Sequence, residues 1–230
     1  MAKKASKAPT KTEANVGEIF SKSEKFIEIY KNHIMIGVGA VILIVIVILG
    51  IRQYYFLPKE KDAQSSIFPG ESYLAKQQWD VALNGDGKDY IGFLGIIDDY
   101  GSTKTGKLAK AYAGICYYHL NKPDEAVVYL KEYKANDKVI APVITGLIGD
   151  CYVNLNDIAE GIKYFNKAAS EANSELLSPV YLKKAGIAYE SIFDYVNAAK
   201  MYQTIKNKYP NSQEASDIDK YIERADLQIK

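Results

Sequence analysis

The chain has 230 residues, with 29 Lys and Arg against 28 Asp and Glu, and only two Cys and two His. That balance excludes a basic nucleic-acid-binding surface, and so few thiols and imidazoles exclude a disulfide scaffold or a cysteine-rich zinc framework. The length allows one sizeable domain once a tail and an anchor are set aside, and the 19 Tyr suit either interleaved helix packing or an exposed protein-binding face.

Residues 1–33 hold seven Lys and four Glu, so the portion beyond them is slightly acidic. Residues 1–15, MAKKASKAPTKTEAN, have no apolar periodicity and read as a disordered basic tail. In residues 16–33, Val16, Ile19, Phe20, Phe26, Ile27 and Tyr30 recur at helical spacing, with Glu18, Lys22, Glu24, Lys25 and Glu28 largely opposite. This predicts an amphipathic helix. Two readings fit it: a helix lying on a membrane surface with its Lys near lipid head groups, or one that continues into the next segment or packs on a neighbour.

Residues 34–51, IMIGVGAVILIVIVILGI, carry no charge and include 13 Ile, Val or Leu. At about 1.5 Å per residue they make roughly 27 Å of helix, close to the hydrocarbon thickness of a bilayer. Near the bilayer centre those side chains contribute up to about 4 to 8 kcal/mol toward insertion. A cleavable leader has a shorter apolar core and small residues at its end, whereas here Arg52, Gln53, Tyr54, Tyr55 and Phe56 follow. The segment therefore predicts a transmembrane helix, with Tyr30 and the Tyr54–Phe56 cluster at the two interfaces. Lys22, Lys25 and Lys31 before the span balance Arg52, Lys59 and Lys61 after it. The full seven-Lys tail sets the N-terminus in the cytoplasm and the remainder outside it.

Residues 52–70, with Pro58, Pro69, charges and serines, read as a linker. From residue 71 to 230 only helical patterns follow, so the fold class is all-α. A first helix is predicted near Glu71–Leu83, with Leu74, Trp79 and Leu83 apolar, and Asn84-Gly85-Asp86-Gly87 breaks it. Lys88 interrupts the ligand series that a calcium loop would need, so this stretch reads as a turn.

A repeat runs through the rest. Gly186-x2-Tyr189-x8-Ala198-x3-Tyr202-x7-Pro210 places two residues one turn apart on one helix and two one turn apart on the next. The frame falls again on Gly149, Tyr152, Gly161 and Phe165, and on Gly114, Tyr117, Ala126 and Leu130. Small residues let antiparallel helices approach, and large ones fill the gap beside them. Phe93-x2-Ile96-x3-Tyr100-Gly101-x-Thr103 echoes Tyr202-x2-Ile205-x3-Tyr209-Pro210-x-Ser212, which predicts a degenerate first repeat. Ser178-Pro179 reads as an N-cap followed by a first-turn Pro, and Pro123 and Pro142 stand near helix starts.

These residues resemble the tetratricopeptide repeat (TPR), which couples Gly and Tyr on its first helix (A) to Ala and an aromatic on its second (B), then a Pro. The copies at Gly149 and Gly114 lack the closing Pro, Gly161 replaces the usual Ala, and the early Trp is absent throughout. The phasing gives repeats at about 71–105, 107–140, 142–175 and 179–212, and a capping helix over 213–230. Cys116 and Cys151 fall at equivalent positions on successive A helices, whose axes lie about 8 to 10 Å apart. A bridge needs Cα atoms within about 7 Å, so two buried free thiols are expected.

No catalytic constellation is evident: His119 lacks a partner set and His33 sits at the membrane edge. A non-enzyme without metal, cofactor, small-molecule substrate or nucleic-acid partner is expected. The resemblance implies a concave, mainly helix-A face that binds other proteins. Transferring its phase puts Tyr112, Ile115, Tyr118 and His119, then Asp150 and Asn154, then Lys183, Ile187 and Glu190 on or near that groove. The chaperone-binding clamp of some cytosolic members needs Lys and Asn pairs there, and Ile115, Asp150 and Ile187 do not supply the Asn.

The layout of basic tail, single span and short repeat domain is similar to the periplasmic TPR proteins that accompany the bacterial Sec translocon. GDGKDYIGFLGIIDDYGSTKTG and SPVYLKKAG look like Bacteroidetes-type members. The resemblance implies a bacterial inner-membrane protein with periplasmic repeats, and as partners membrane lipid, the Sec translocon, nascent envelope proteins and periplasmic chaperones. A scaffold of an envelope machine for outer-membrane assembly, secretion or division is the alternative. A docking protein with cytosolic repeats is a third reading, which topology would eliminate.

Overall fold

The computed structural model describes residues 11–134 and 138–229, and residues 1–10 of the expected tail lie outside them. The chain divides into two compact units, Met1–Pro58 and Lys59–Lys230. Among the described residues there is no β-strand.

In the first unit a single helix, α1, runs over Lys11–Ile51. The expected disorder at 11–15 is corrected: Lys11, Glu13 and Ala14 favour helix, and no Pro separates them from the apolar run. Nor is 16–33 a separate element, since it continues into the span. The apolar window of α1 is long enough to cross a membrane and none of it is buried. A π-turn at Arg52–Phe56 follows, closed by the Leu57 N–H on the Arg52 carbonyl. Pro58 gives a reason, because it cannot donate to Tyr54 and its ring would crowd that carbonyl in a regular turn.

The expected linker at 52–70 is likewise corrected, because α2 spans Leu57–Ala75 with Pro69 inside it. Pro58 is harmless in a first turn. Pro69 forfeits one ladder bond, but Ala63, Ile67 and Gly70 are buried, and that packing outweighs local propensity. Glu60 ties α2 to the helix that begins at Lys104, accepting from the Lys104 amide at 2.8 Å and the Thr105 hydroxyl at 2.7 Å. Burial pushes the Glu60 carboxyl up, but bonds from Thr105, Lys104 and Gln64 outweigh it and hold the group below its ordinary value. Its contribution is therefore present at neutral pH and lost as pH falls through the carboxylate range. Glu60→Gln is expected to lower the melting temperature at neutral pH, and the gap from wild type should close near about pH 3. Thermal melts at both pH values test this, and a gap of equal size at both contradicts it.

Helix pairs make up the rest of the second unit: α3 Trp79–Asn84, α4 Gly92–Tyr100, α5 Lys104–His119, α6 Pro123–Glu132, α7 Ile140–Asn154, α8 Ile158–Ala172, α9 Ser178–Ser191 and α10 Tyr195–Lys208. A 3-10 turn at Gln213–Asp217 leads to α11, Ile218–Ile229. Neighbours in sequence pack on one another, as α5 on α6, α7 on α8 and α9 on α10. An added Cβ on Gly114, Gly149 or Gly186 would fall 2.6, 2.7 or 2.3 Å from Leu130, Phe165 or Tyr202 respectively, the same frame partner in each copy. The glycines are where the backbones close up, and the large side chains fill the space beside them.

The frame also runs through the first repeat, from α2 rather than from residue 71. Gly70-x2-Tyr73 repeats the Gly and Tyr. Ala82 keeps the spacing from Gly70 that Ala126, Gly161 and Ala198 keep from their own glycines, and the three alanines are fully buried. A Cβ on Gly70 would lie 2.6 Å from Phe93, which stands later in its repeat than Leu130, Phe165 and Tyr202 do because an insertion splits the B helix into α3 and α4. The expected Glu71–Leu83 helix is broken at Gln77, whose φ is +57°. Asn121, Asn156 and Phe193 take the same left-handed conformation at the same place after their glycines. In each repeat the next amide closes back on the frame Tyr, with Gln78, Lys122, Asp157 and Asp194 donating to the carbonyls of Tyr73, Tyr117, Tyr152 and Tyr189.

Within the insertion, Asp86 accepts from the amides of Lys88 and Tyr90 and from the Tyr73 hydroxyl. Both carboxylate oxygens thus hold a turn and pin it to the frame Tyr. The echo between Phe93 and Tyr202 extends to capping. Thr103 and Ser212 each accept from an amide three residues on and donate to the carbonyl of Tyr100 or Tyr209. Ser178 is not the expected N-cap. It is fully buried inside α9's first turn, donates to the Ala169 carbonyl and accepts from the Ser174 amide, and Leu177 occupies the N-cap position without a side-chain cap. Cys116 and Cys151 are free and buried, and burial pushes both thiols up to about 12.

Candidate functional site

Helices α5, α7 and α9 carry the residues expected in the groove. The structure joins many of them into one strip along the A helices. Half-buried Tyr118 faces Asp150 and Asn154 of the next A helix, and burial followed by the Asp150 carboxylate pushes its phenol up. Asp150 in turn receives the Lys184 ammonium on both oxygens, at 2.8 and 2.6 Å. Lys183 donates to Asp217 at 2.7 Å, and Arg224 donates to Glu190 at 2.6 Å. Each of these pairs joins residues one repeat apart: Lys184–Asp150 ties α9 to α7, Lys183–Asp217 ties α9 to the 3-10 turn before α11, and Arg224–Glu190 ties α11 to α9. At exposed and partly exposed positions such pairs are screened by solvent and set register more than they add stability.

Ile187 lies one turn from Lys183 and one from Glu190, and it is 46 % exposed. Two depressions meet at it: one of about 310 Å³ toward Lys183 and Asp217, and one of about 480 Å³ toward Glu190 and Arg224. An apolar side chain open to solvent between two bridged ion pairs can seat an apolar group of an extended peptide. The flanking carboxylates and cations can accept from and donate to its backbone.

The other expected groove residues are used within the fold. His119 stacks on Trp79, ring centroids 4.0 Å apart and 7° from parallel, which joins α5 to α3. Tyr112 donates to Glu71 at 3.0 Å, and burial with that carboxylate pushes its phenol up to about 12. Ile115 packs against the core around Leu130 and Ile144. Sequence reasoning missed Lys184, Asp217 and Arg224, although the signal was present as opposite charges one repeat apart. Tyr202, beneath Gly186, is fully buried beside the Glu190–Arg224 pair, and burial followed by the Glu190 carboxylate pushes its phenol up. Among the described residues no group of His, Cys, Asp or Glu can hold a metal ion.

Residues 181–212 match a family profile described as tetratricopeptide repeat. No curated protein matches the chain significantly. Among solved structures, the chain is similar to nearly identical TPR-like repeats of a candidate kinesin light chain from Podosopora anserina. That match has 10 % identity and a TM-score of 0.54, covering 72 % of this chain and 85 % of the other. It is also similar to MamA, at 16 % identity and a TM-score of 0.50, covering 70 % of this chain and 94 % of that one. At these identities the likeness is one of fold. The chain is therefore all-helical, with TPR-like helix pairs and, near its N-terminus, one helix apolar and long enough to cross a membrane.

Proposed function

We propose that this chain is a membrane-anchored protein-interaction module. It is held in the bacterial inner membrane by α1 with its N-terminus in the cytoplasm, and it presents its helix-A face to other polypeptides in the periplasm. In this reading it assists Sec-dependent translocation or periplasmic chaperoning, meeting the translocon, emerging envelope proteins or chaperones. The observation that carries the interaction role is the strip on α7 and α9, where Ile187 stays open between the Lys183–Asp217 and Glu190–Arg224 pairs. The uncharged run in α1 and the Lys-rich tail support the anchor and its orientation.

Photo-crosslinking in cells tests the role. A photoreactive residue at Tyr118 is expected to capture translocon subunits or nascent chains, and the same residue at exposed Lys200 on α10 is not. Capture only of a fixed envelope assembly would replace translocation with scaffolding. Equal capture from Lys200 would remove the A face from the account.

A further inference from the structure

A second built depression lies away from the helix-A strip and shares no residue with it. It sits between α6 and α8, both B helices, over the first half of α7, and encloses about 360 Å³. That is at the lower end of the roughly 300 to 1,000 Å³ over which proteins hold small organic groups. Its floor is apolar and buried, made by Leu130, Ile144 and Ile148. Among the described residues its rim carries Lys131, Lys134 and Lys167 against the carboxylate of Glu171, an excess of positive charge over an apolar base.

Two of the cations, Lys131 and Lys167, are held by neighbouring rings and a carboxylate. Tyr152 and Tyr164 stack with centroids 5.4 Å apart, and the Lys131 ammonium sits 5.0 and 5.7 Å from their centres. Lys131 also donates to the Tyr152 hydroxyl at 2.5 Å. Lys167 lies 5.9 Å from the Tyr164 ring and 3.7 Å from Glu171, which also accepts from the Thr145 hydroxyl at 2.7 Å. A similar Tyr stack recurs one repeat earlier as Tyr117 on Tyr129, 5.2 Å apart. There the frame position corresponding to Lys131 is Leu94, and in the following repeat it is Asn166. The ammonium over the rings thus belongs to this junction alone and is not required by the repeat.

We infer that this depression between α6 and α8 is a second docking site, and that it takes an acidic peptide segment bearing one large apolar side chain. Charge complementarity chooses the occupant. The apolar side chain covers Leu130, Ile144 and Ile148, while neighbouring carboxylates meet Lys131, Lys134 and Lys167. A lone inorganic anion would leave the floor uncovered. A nucleic-acid backbone or a lipid surface would need a longer run of cations than the three lysines of this depression offer.

The test is fluorescence anisotropy on the full-length chain in neutral-detergent micelles. The probe is fluorescein-labelled Glu-Asp-Glu-Phe-Glu-Asp, compared with its uncharged counterpart Gln-Asn-Gln-Phe-Gln-Asn. The acidic peptide is expected to bind more tightly, and added salt to weaken it. Lys131→Met with Lys167→Gln should weaken it about tenfold or more. Glu171→Gln, which removes the opposing charge, should tighten it severalfold, an outcome that damage to the fold would not give. Lys200→Gln, at an exposed lysine on α10 outside both sites, should leave the affinity unchanged, which separates loss of this site from a general loss of positive charge. Equal binding of the two peptides, a double variant that binds like wild type, or selective binding of anionic vesicles or an oligonucleotide instead would overturn the inference.

Discussion

Placing two lysines in the middle of α1, by Leu43→Lys with Ile46→Lys, is expected to release the chain from the membrane. Each lysine costs about 2.5 to 3.5 kcal/mol at the centre of a span and also removes about 0.3 to 0.6 kcal/mol of favourable transfer. Together these roughly cancel the 4 to 8 kcal/mol that the apolar run supplies at most. The run offers no protein interior as a substitute, since none of its window is buried within the structure. After alkaline carbonate treatment, wild type should float with lipid on a density gradient and the double variant should stay at the bottom. A variant that still floats would mean that α1 is not the anchor.

Replacing Gly186 with leucine should loosen the last repeat. A Cβ alone would sit 2.3 Å from Cε1 and 2.7 Å from Cζ of the Tyr202 ring. That ring is fully buried and packs against Tyr221 at 5.3 Å, so it cannot swing aside. Overpacking of this kind costs about 1 to 3 kcal/mol, which for a unit of this size lowers the melting midpoint by about 2 to 12 °C. Gly114→Leu should cost a similar amount, because the added Cβ meets Cγ of the fully buried Leu130 at 2.6 Å and the Ala126 carbonyl oxygen at 3.2 Å. An unchanged midpoint for Gly186→Leu, read by circular dichroism, would contradict the helix crossing described for α9 and α10.

The repeat was legible wherever its small and large residues kept a fixed spacing. Gly186, Ala198 and Tyr202 declare a helix crossing because a close approach demands a small side chain and a neighbour to fill the gap. The first repeat was obscured by two things. Pro58 and Pro69 argue for a break, yet Pro58 falls in the first turn of α2 and tertiary burial of Ala63, Ile67 and Gly70 carries the helix through Pro69. The insertion after Asn84 then shifts Phe93 out of register with Leu130, Phe165 and Tyr202, so the match Gly70-x2-Tyr73 stood without its partner. Local rules were decisive only where nothing nonlocal opposed them, as in the turn that Asp86 closes on Lys88 and Tyr90.

The candidate groove was legible as a set of positions and less so as a set of roles. Helical phase brings Asp150, Lys183, Ile187 and Glu190 to the A helices, but it does not tell a ligand-facing charge from one held by the next repeat. Lys184, Asp217 and Arg224 decide that, because each neutralises a charge one repeat away. What remains open to a partner is the apolar position between them. His119 and Tyr112, engaged by Trp79 and Glu71, connect the first repeat to the second.

The most direct measurement is therefore made on Ile187→Asp, in full-length protein carrying the photoreactive residue at Tyr118. Ile187 is 46 % exposed, so its melting midpoint should stay within about 0.5 kcal/mol of wild type in stability terms, while the crosslinked products from Tyr118 disappear. Undiminished crosslinking from a chain with an unaltered midpoint would contradict the claim that the helix-A face of this solenoid is where another polypeptide binds.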